Sequence, residues 1–242
     1  MLEGYKEFDA EIKPRLIVRI SGLDMRGKTT FALTAPGPIA ISDMDRGLEG
    51  VANQFVSDKE LLVASYRDMP ATTADQQKKK WETFKDNYYT SLKSPAVKSI
   101  VWDTESESWE MIRLARFGKF TAVKPHHYAP VNREYRTMID AAFDSNKNLI
   151  MIDKVKKQYV AKKSGGDAQW SGMYEPSGFS ELRYLVQVDL EAFRSDEGEF
   201  GVRVVKCRQN ATLIGMELEA EICTFPLLAS LVLEGTEPED WE

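Results

Sequence analysis

Residues 22–29 read Gly-Leu-Asp-Met-Arg-Gly-Lys-Thr, which matches the phosphate-binding pattern G-x-x-x-x-G-K-[ST]. An apolar, β-branched run at 15–20 precedes the pattern, and residues 28–34 can form a helix. A loop between a buried strand and a helix turns backbone N–H groups toward phosphate oxygens. The sequence therefore predicts a nucleoside triphosphate site. Its predicted residues are Gly22, Leu23, Asp24, Met25, Arg26, Gly27, Lys28, Thr29 and Thr30, with Lys28 at the terminal phosphates and Thr29 on Mg²⁺.

Further apolar runs predict strands, and periodic stretches between them predict helices. This alternation is typical of an α/β fold with a mainly parallel, twisted sheet and helices on both faces. The last two predicted strands are joined by a polar turn and form a C-terminal antiparallel hairpin. The predicted strands are 15–20, 38–42, 99–102, 148–152, 184–193 and 201–207, and the predicted helices are 28–34, 76–92, 105–117 and 131–144.

Two segments interrupt this alternation. Residues 57–94 are charged and rich in lysine, and we expect an amphipathic surface helix there. Residues 161–180 are rich in Gly, Ser and Lys and show no periodicity. Because so long a loop is unusual within a compact domain, we expect it to be functional or disordered.

The chain has 242 residues and a net charge of −6, and it contains only two cysteines. This length suits one α/β domain, and two cysteines provide neither a disulfide framework nor a metal-binding pattern. We therefore expect a cytoplasmic protein with no membrane association. Residues 209–242 include eight acidic side chains and no Lys or Arg. We predict one domain over residues 1–233 and a disordered acidic tail over 234–242.

A triphosphate site also needs an acidic residue at the end of a neighbouring strand, to complete the Mg²⁺ coordination. Asp103 follows the apolar run 99–102 and is the predicted carboxylate. Hydrolysis requires a second carboxylate that orients or deprotonates the attacking water. Asp45, beyond the strand 38–42, and Glu105 are both candidates, and the sequence leaves the choice open.

The order of these segments resembles the core of the RecA-like recombination ATPases. Residues 43–49 are similar to a run in that family whose glutamate activates water, which implies that role for Asp45. Residues 148–154 resemble the strand that ends in a sensor of the γ-phosphate, which implies that role for Lys154. The resemblance implies a RecA-like P-loop NTPase core.

A third part of the resemblance implies assembly. Residues 202–208 are similar to a strand whose two cations reach the triphosphate of a neighbouring subunit, and Lys206 and Arg208 match them. The resemblance therefore implies a ring or filament in which catalysis by each subunit depends on the next. A compact core of this length looks like the phage-encoded ATPases of single-strand annealing and recombination.

Two groups of basic and aromatic residues lie where the family binds DNA. Cations follow the phosphates of a single strand, and flat side chains stack on its bases. The resemblance places both groups near the axis of the assembly, where DNA passes. The predicted contacts are Lys119, Lys124 and His127 in one group and Lys157, Lys162, Lys163, Trp170 and Tyr174 in the other.

The expected function is hydrolysis of ATP, stimulated by single-stranded DNA, in strand annealing or exchange during phage recombination or replication. The location is then the host cytoplasm, and a single-strand-binding or replication protein is an expected partner. ATP is favoured over GTP because no N-K-x-D motif is present. One alternative is a small-molecule kinase, with Arg113, Arg116, Arg133 and Arg136 as lid residues. Another is a nucleotide switch or loader that docks a partner through residues 234–242.

Overall fold

The computed structural model describes residues 14–119, 123–160 and 168–242. Within these ranges, strands and helices alternate, and all nine strands join one sheet. The strands are β1 (Ile17–Gly22), β2 (Ile39–Asp43), β3 (Leu61–Ser65), β4 (Ser99–Asp103), β5 (Asn148–Val160), β6 (Gln169–Pro176), β7 (Val188–Arg194), β8 (Phe200–Cys207) and β9 (Glu217–Glu219). The helices are α1 (Lys28–Leu33), α2 (Ala74–Lys93), α3 (Glu105–Phe117), α4 (Ala129–Asp144), α5 (Leu182–Leu185) and α6 (Phe225–Val232).

The strand order across the sheet is β3-β2-β4-β5-β1-β7-β8-β9, and β6 pairs with β5. The strands from β3 across to β7 are parallel, whereas β8 and β9 are antiparallel to their neighbours. This confirms the α/β class, the mainly parallel sheet and the C-terminal β7–β8 hairpin. Strand β2, which follows β1 in the chain, lies on the β5 side of β1, whereas β7 lies on the other side of β1. The direction in which strands are added to the sheet therefore reverses at β1. In open parallel sheets, ligand sites form beyond the carboxyl ends of the strands at such a reversal.

Helices cover both faces of the sheet, as predicted. Helices α1 and α6 pack on one face, where Phe31 and Phe225 belong to the same buried apolar cluster as Val18 and Ile20 of β1. Helices α2, α3 and α4 pack on the other face around Trp81, Ile112 and Tyr135. Each face therefore buries its own apolar cluster, which holds the strand ends in place. None of the described helices combines the length and apolar composition needed to cross a bilayer.

Strand β3 was not predicted. Its residues lie in the charged segment 57–94, and the predicted helix of that segment begins only at Ala74. Strand β3 pairs with β2 alone and forms one edge of the sheet. Leu62 is 42% exposed and Val63 is 52% exposed. The run 61–64 is apolar, but it is short and lies within a charged, lysine-rich segment, so periodicity alone does not distinguish it as a strand.

The segment 161–180 is not one long loop. Strand β5 continues to Val160, well beyond the predicted end at 152, and β6 pairs with it to form an antiparallel hairpin, which we call the β5–β6 arm. Residues 161–167 lie outside the described part of the chain. The paired part of the arm, residues 155–160 and 169–176, exposes residues on both faces, so it shows neither a continuous apolar run nor a clean alternation.

The acidic tail is ordered, contrary to the prediction. Residues Pro238–Trp241 form one turn of 3₁₀ helix, and Trp241 is only 3% exposed. Its ring centroid lies 6.3 Å from that of Phe225 in α6, and its indole N–H donates to the Thr236 hydroxyl. The carboxylates of this segment stay at the surface while the indole is buried. The prediction counted the charge and missed the apolar area that one tryptophan contributes.

Candidate functional site

The segment that matches the phosphate-binding pattern lies between β1 and α1, as predicted. Two of its glycines touch the β7–β8 hairpin. A Cβ atom at Gly22 would lie 2.7 Å from the carbonyl oxygen of Ala192, and one at Gly27 would lie 2.7 Å from the ring of Phe200. Gly27 also has φ +76°, which other residues adopt only with strain. These glycines are therefore required by the packing of the loop as well as by its curvature.

Lys28 lies over the loop that precedes it. Its Nζ donates to the carbonyl oxygens of Gly22 at 2.9 Å and Leu23 at 2.7 Å. Burial lowers the pKa of Lys28, and the nearby carboxylates of Asp24 and Asp103 oppose this effect. The ammonium group is thus held over the loop by two hydrogen bonds to neutral carbonyl oxygens, which the oxygens of an anionic ligand can replace.

The two halves of the predicted site meet at Thr29 and Asp103. The Thr29 hydroxyl donates to Asp103 Oδ2 at 3.0 Å, and Asp103 is 1% exposed at the carboxyl end of β4. The pKa of Asp103 is raised to about 7, mainly by burial and also by the carboxylates of Asp45 and Asp43, while the hydrogen bond from Thr29 and the charge of Lys28 oppose the rise. A hydroxyl and a carboxylate side by side form a pair of hard oxygen ligands.

Asp45 and Lys154 form an ion pair in the same cleft. Lys154 Nζ lies 3.0 Å from Asp45 Oδ2 and 2.7 Å from Glu107 Oε1. Burial alone would lower the pKa of Lys154, but hydrogen bonds to Glu107 and Asp45 outweigh it and the pKa is raised. The backbone N–H of Gly47 donates to Asp45 Oδ1. Both predicted residues therefore lie at the cleft, held by charge complementarity.

Glu105, the other candidate for the water-orienting carboxylate, faces away from the cleft. It is fully buried, and its Oε1 accepts hydrogen bonds from the hydroxyl of Tyr135 at 2.9 Å and the backbone N–H of Phe179 at 3.1 Å. Burial and the neighbouring carboxylate of Asp153 raise its pKa well above the ordinary value. Of the two candidates, only Asp45 lines the cleft.

A cleft of about 420 Å³ lies beyond the carboxyl ends of β1 and β4, and we call it the phosphate cleft. It is lined by Lys28, Thr29, Asp45, Asp103 and Lys154. Four cations line it: Arg26, Lys28, Lys154 and Arg194. Arg194 was not predicted. It ends β7, and its guanidinium carbon lies 4.8 Å from the ring centroid of Phe200. Its position depends on β7 lying next to β1, which the order of segments along the chain does not reveal.

The donor set fits Mg²⁺ bound together with a phosphate ligand. Among residues 14–119, 123–160 and 168–242, no group of three His, Cys, Asp or Glu side chains could hold a metal ion. Mg²⁺ is usually held by one or two carboxylates, with substrate phosphates and water completing the coordination. Thr29 and Asp103 match that arrangement, since they leave most positions to a ligand.

Lys206 and Arg208 lie far from the phosphate cleft of their own chain. Strand β8 runs antiparallel to β7, so Phe200 at its start contacts the phosphate-binding loop. Its last residues lie at the other end of the sheet, where the parallel strands begin. Lys206 lies opposite Asp189 in the register of β7 and β8. Its Nζ donates hydrogen bonds to the carbonyl oxygens of Arg183 and Val186. Arg208 is exposed. Any contact with a triphosphate would have to be made to another subunit.

Three of the predicted nucleic-acid contacts share the β5–β6 arm. Trp170 is 45% exposed and Tyr174 is 44% exposed, and their ring centroids are 6.1 Å apart. Lys157 Nζ lies 5.2 Å from the Trp170 ring centroid. Lys162 and Lys163 lie outside the described residues. The other group lies elsewhere: Lys119 follows α3, and Lys124 and His127 lie just before α4.

The arginines considered as kinase lid residues lie on α3 and α4 and are not among the described residues that line the phosphate cleft. Three of them form ion pairs with glutamates of the same helices or of a neighbouring turn: Arg113 with Glu110, Arg116 with Glu134, and Arg136 with Glu181. None of the four arginines therefore provides a cation at the phosphate cleft.

No protein-family model matches this chain, and no curated protein is significantly similar to it. The function must therefore be argued from the geometry of the phosphate cleft and the surfaces around it.

Proposed function

We propose that this protein binds ATP with Mg²⁺ in the phosphate cleft and hydrolyses it to ADP and phosphate. One observation carries the proposal: the hydroxyl of Thr29, at the end of the G-x-x-x-x-G-K-[ST] segment, donates to the buried carboxylate of Asp103 at 3.0 Å. The two residues are 74 positions apart in the chain. They meet at the carboxyl end of β4, with Lys28 beside them, and this is the arrangement that Mg²⁺–triphosphate binding requires.

Each group in the cleft then has a role in phosphoryl transfer. Mg²⁺, when bound, neutralises charge on the phosphate oxygens. Lys28 exchanges its carbonyl partners for phosphate oxygens, and Thr29 and Asp103 hold the metal. Asp45 orients the attacking water and accepts its proton, and Lys154 holds the Asp45 carboxylate in place. A bond forms from the water oxygen to the γ-phosphorus while the bond to the β–γ bridging oxygen breaks.

We further propose that the protein acts on single-stranded DNA. The β5–β6 arm supports this step, because it exposes two aromatic rings beside a lysine. Such a surface suits stacking on unpaired bases without sequence preference. Self-association, a role in phage recombination or replication, and a partner protein from that process rest on the resemblance to RecA-like ATPases alone.

ATP hydrolysis by the purified full chain tests the proposal. We expect Mg²⁺-dependent turnover that rises when single-stranded DNA is added. The variant Lys28→Ala should lose roughly 100-fold or more in turnover, because the transition state loses a positioned cation. Lys79→Ala, at an exposed position on α2, is the matched control and should behave as wild type. Equal turnover in the Lys28 and Lys79 variants, or no Mg²⁺-dependent ATP binding, would overturn it.

A further inference from the structure

A second cavity adjoins the phosphate cleft. It has a volume of about 600 Å³, within the size range of small-ligand pockets. The two cavities share Gly27, Thr30 and Phe200 in their walls, so they meet at the start of α1. We call this second cavity the side cavity.

The side cavity and the phosphate cleft have opposite charge. The phosphate cleft has four cations in its wall, Arg26, Lys28, Lys154 and Arg194, which outnumber its three carboxylates, Asp24, Asp45 and Asp103. The described residues that line the side cavity include no Lys or Arg, and its three charged side chains are acidic: Glu199, Glu219 and Glu221. Three carboxylates repel a polyphosphate and accept hydrogen bonds from hydroxyl and amino groups. The side cavity therefore suits the uncharged part of a nucleotide.

The direction of a bound nucleotide follows from the proposed Mg²⁺ position. Thr29, Asp103, Asp45 and Lys154 define the end of the cleft that holds the terminal phosphates. The rest of the nucleotide must extend away from them. Thr30, next to Thr29 in the first turn of α1, lines both cavities, so the side cavity adjoins the phosphate cleft there.

Apolar groups complete the side cavity. Phe200 lines it, and Ile222 lines it while remaining 53% exposed to solvent. An aromatic ring and an aliphatic side chain can cover the flat faces of a base, whose stacking is driven by contact area rather than by hydrogen bonds. The exposed apolar surface of Ile222 is accounted for by an occupant of this kind.

We propose that the side cavity binds the nucleoside of the ATP whose phosphates occupy the phosphate cleft. This inference rests on the proposed function. The base packs against Phe200 and Ile222, and the carboxylates accept hydrogen bonds from the ribose hydroxyls or the exocyclic amino group.

Calorimetric titrations with Mg²⁺–ATP and with Mg²⁺–tripolyphosphate separate the two parts of the ligand. We expect wild-type protein to bind ATP more tightly than tripolyphosphate. Ile222→Glu should weaken ATP binding about 5- to 100-fold, the range for loss of one stacking contact, and leave tripolyphosphate binding unchanged. Ile214→Glu is the matched control, since Ile214 is 54% exposed and lies outside the side cavity. It should leave both affinities unchanged.

Phe200→Ala is a second probe, which should also weaken ATP more than tripolyphosphate. Equal binding of the two ligands by wild-type protein, or unchanged ATP binding in Ile222→Glu, would overturn the assignment of the side cavity and leave the proposed function standing. Failure of the wild-type protein to bind either ligand would overturn the proposed function, and this inference with it.

Discussion

Gly47 and Asp103 are in direct contact: a Cβ atom at position 47 would lie 2.6 Å from Asp103 Oδ2. That oxygen also accepts the hydrogen bond from Thr29. The segment after β2 therefore closes over the proposed metal-binding carboxylate, and only a residue without a side chain fits there.

We predict that Gly47→Ala weakens Mg²⁺–ATP binding by roughly tenfold or more, because the added methyl group displaces a metal ligand. Nucleotide binding in EDTA should change less. Gly50→Ala is the control: position 50 has open space around it, and its positive φ makes the substitution cost folding stability alone. Calorimetry with and without Mg²⁺ measures both effects. A normal Mg²⁺ dependence in Gly47→Ala would contradict the metal assignment.

A second prediction distinguishes the two carboxylates that the sequence left open. Asp45→Asn should lower kcat by roughly 10²- to 10⁴-fold with little change in ATP affinity, because it removes the group that orients the water. Glu105→Gln should retain wild-type turnover, because Glu105 is buried behind the cleft against Tyr135 and Phe179. Single-turnover hydrolysis measures the chemical step directly. The reverse order of effects would assign the role to Glu105.

The thiol of Cys223 provides a pH-dependent probe of the side cavity, whose wall it lines. Burial raises the pKa of Cys223 to about 11, and a backbone hydrogen bond from Val202 opposes this in part. Only about one thiol in a thousand is then ionised at pH 8, and this fraction rises tenfold per pH unit until pH approaches the pKa.

We therefore predict slow alkylation of Cys223 by iodoacetamide near pH 8 and acceleration of about tenfold per unit at higher pH. ATP should slow the reaction, and tripolyphosphate should not. Mass spectrometry of the labelled peptide measures the rate, and Cys223→Ala verifies the site, because the other cysteine, Cys207, is buried in the core. Fast labelling at pH 7 would contradict the burial of the thiol.

A fourth prediction concerns DNA. Trp170→Ala and Tyr174→Ala should each weaken single-stranded DNA binding by about 5- to 100-fold, since each removes a stacking surface. ATP affinity should not change, because neither Trp170 nor Tyr174 lines the phosphate cleft. Tyr184→Ala is the control: Tyr184 is 74% exposed but belongs to α5. Fluorescence anisotropy of a labelled oligonucleotide measures the affinity. Equal effects of all three substitutions would rule out a specific role for the arm.

A fifth prediction tests cooperation between subunits. If Arg208 completes a neighbouring site, Arg208→Ala should lose about 10³-fold in turnover and also lose any dependence of specific activity on protein concentration. Arg133→Ala, at another exposed position, should keep both. Hydrolysis assays over a range of protein concentration, with light scattering, give the answer. A wild-type protein that hydrolyses ATP as a stable monomer would remove this role from Arg208.

The parts of the fold that the sequence predicted are those with strong local patterns. The buried strands β1, β4 and the first half of β5 are apolar runs, and α2 begins with a capping box at Thr73 and Gln76. Helix α6 was missed because it follows a stretch without a clear pattern, although Thr224 caps it. Strand β3 was missed because its short apolar run lies within a charged segment, and β6 was missed because it is exposed and does not need the pattern of a core strand.

The candidate site likewise contains some residues that the sequence could predict and others that it could not. Lys28, Thr29 and Asp103 could be predicted because a motif and a strand end mark them in the sequence. Arg194, Phe200 and Gly47 could not, because their importance depends on which strands are neighbours and how closely two loops approach. Long-range contacts of this kind leave no signature in a single sequence.

Strand β8 runs from the end of the sheet where the phosphate cleft lies to the opposite end. It begins at Phe200, against the phosphate-binding loop, and the chain reaches Arg208 just beyond its end. At about 3.4 Å per residue, these two positions are separated by about 27 Å. A strand hydrogen-bonded to β7 and β9 cannot stretch. In a head-to-tail assembly that uses Arg208, the spacing of successive nucleotides would therefore be set by a rigid length of backbone, and the assembly could twist or bend but not lengthen.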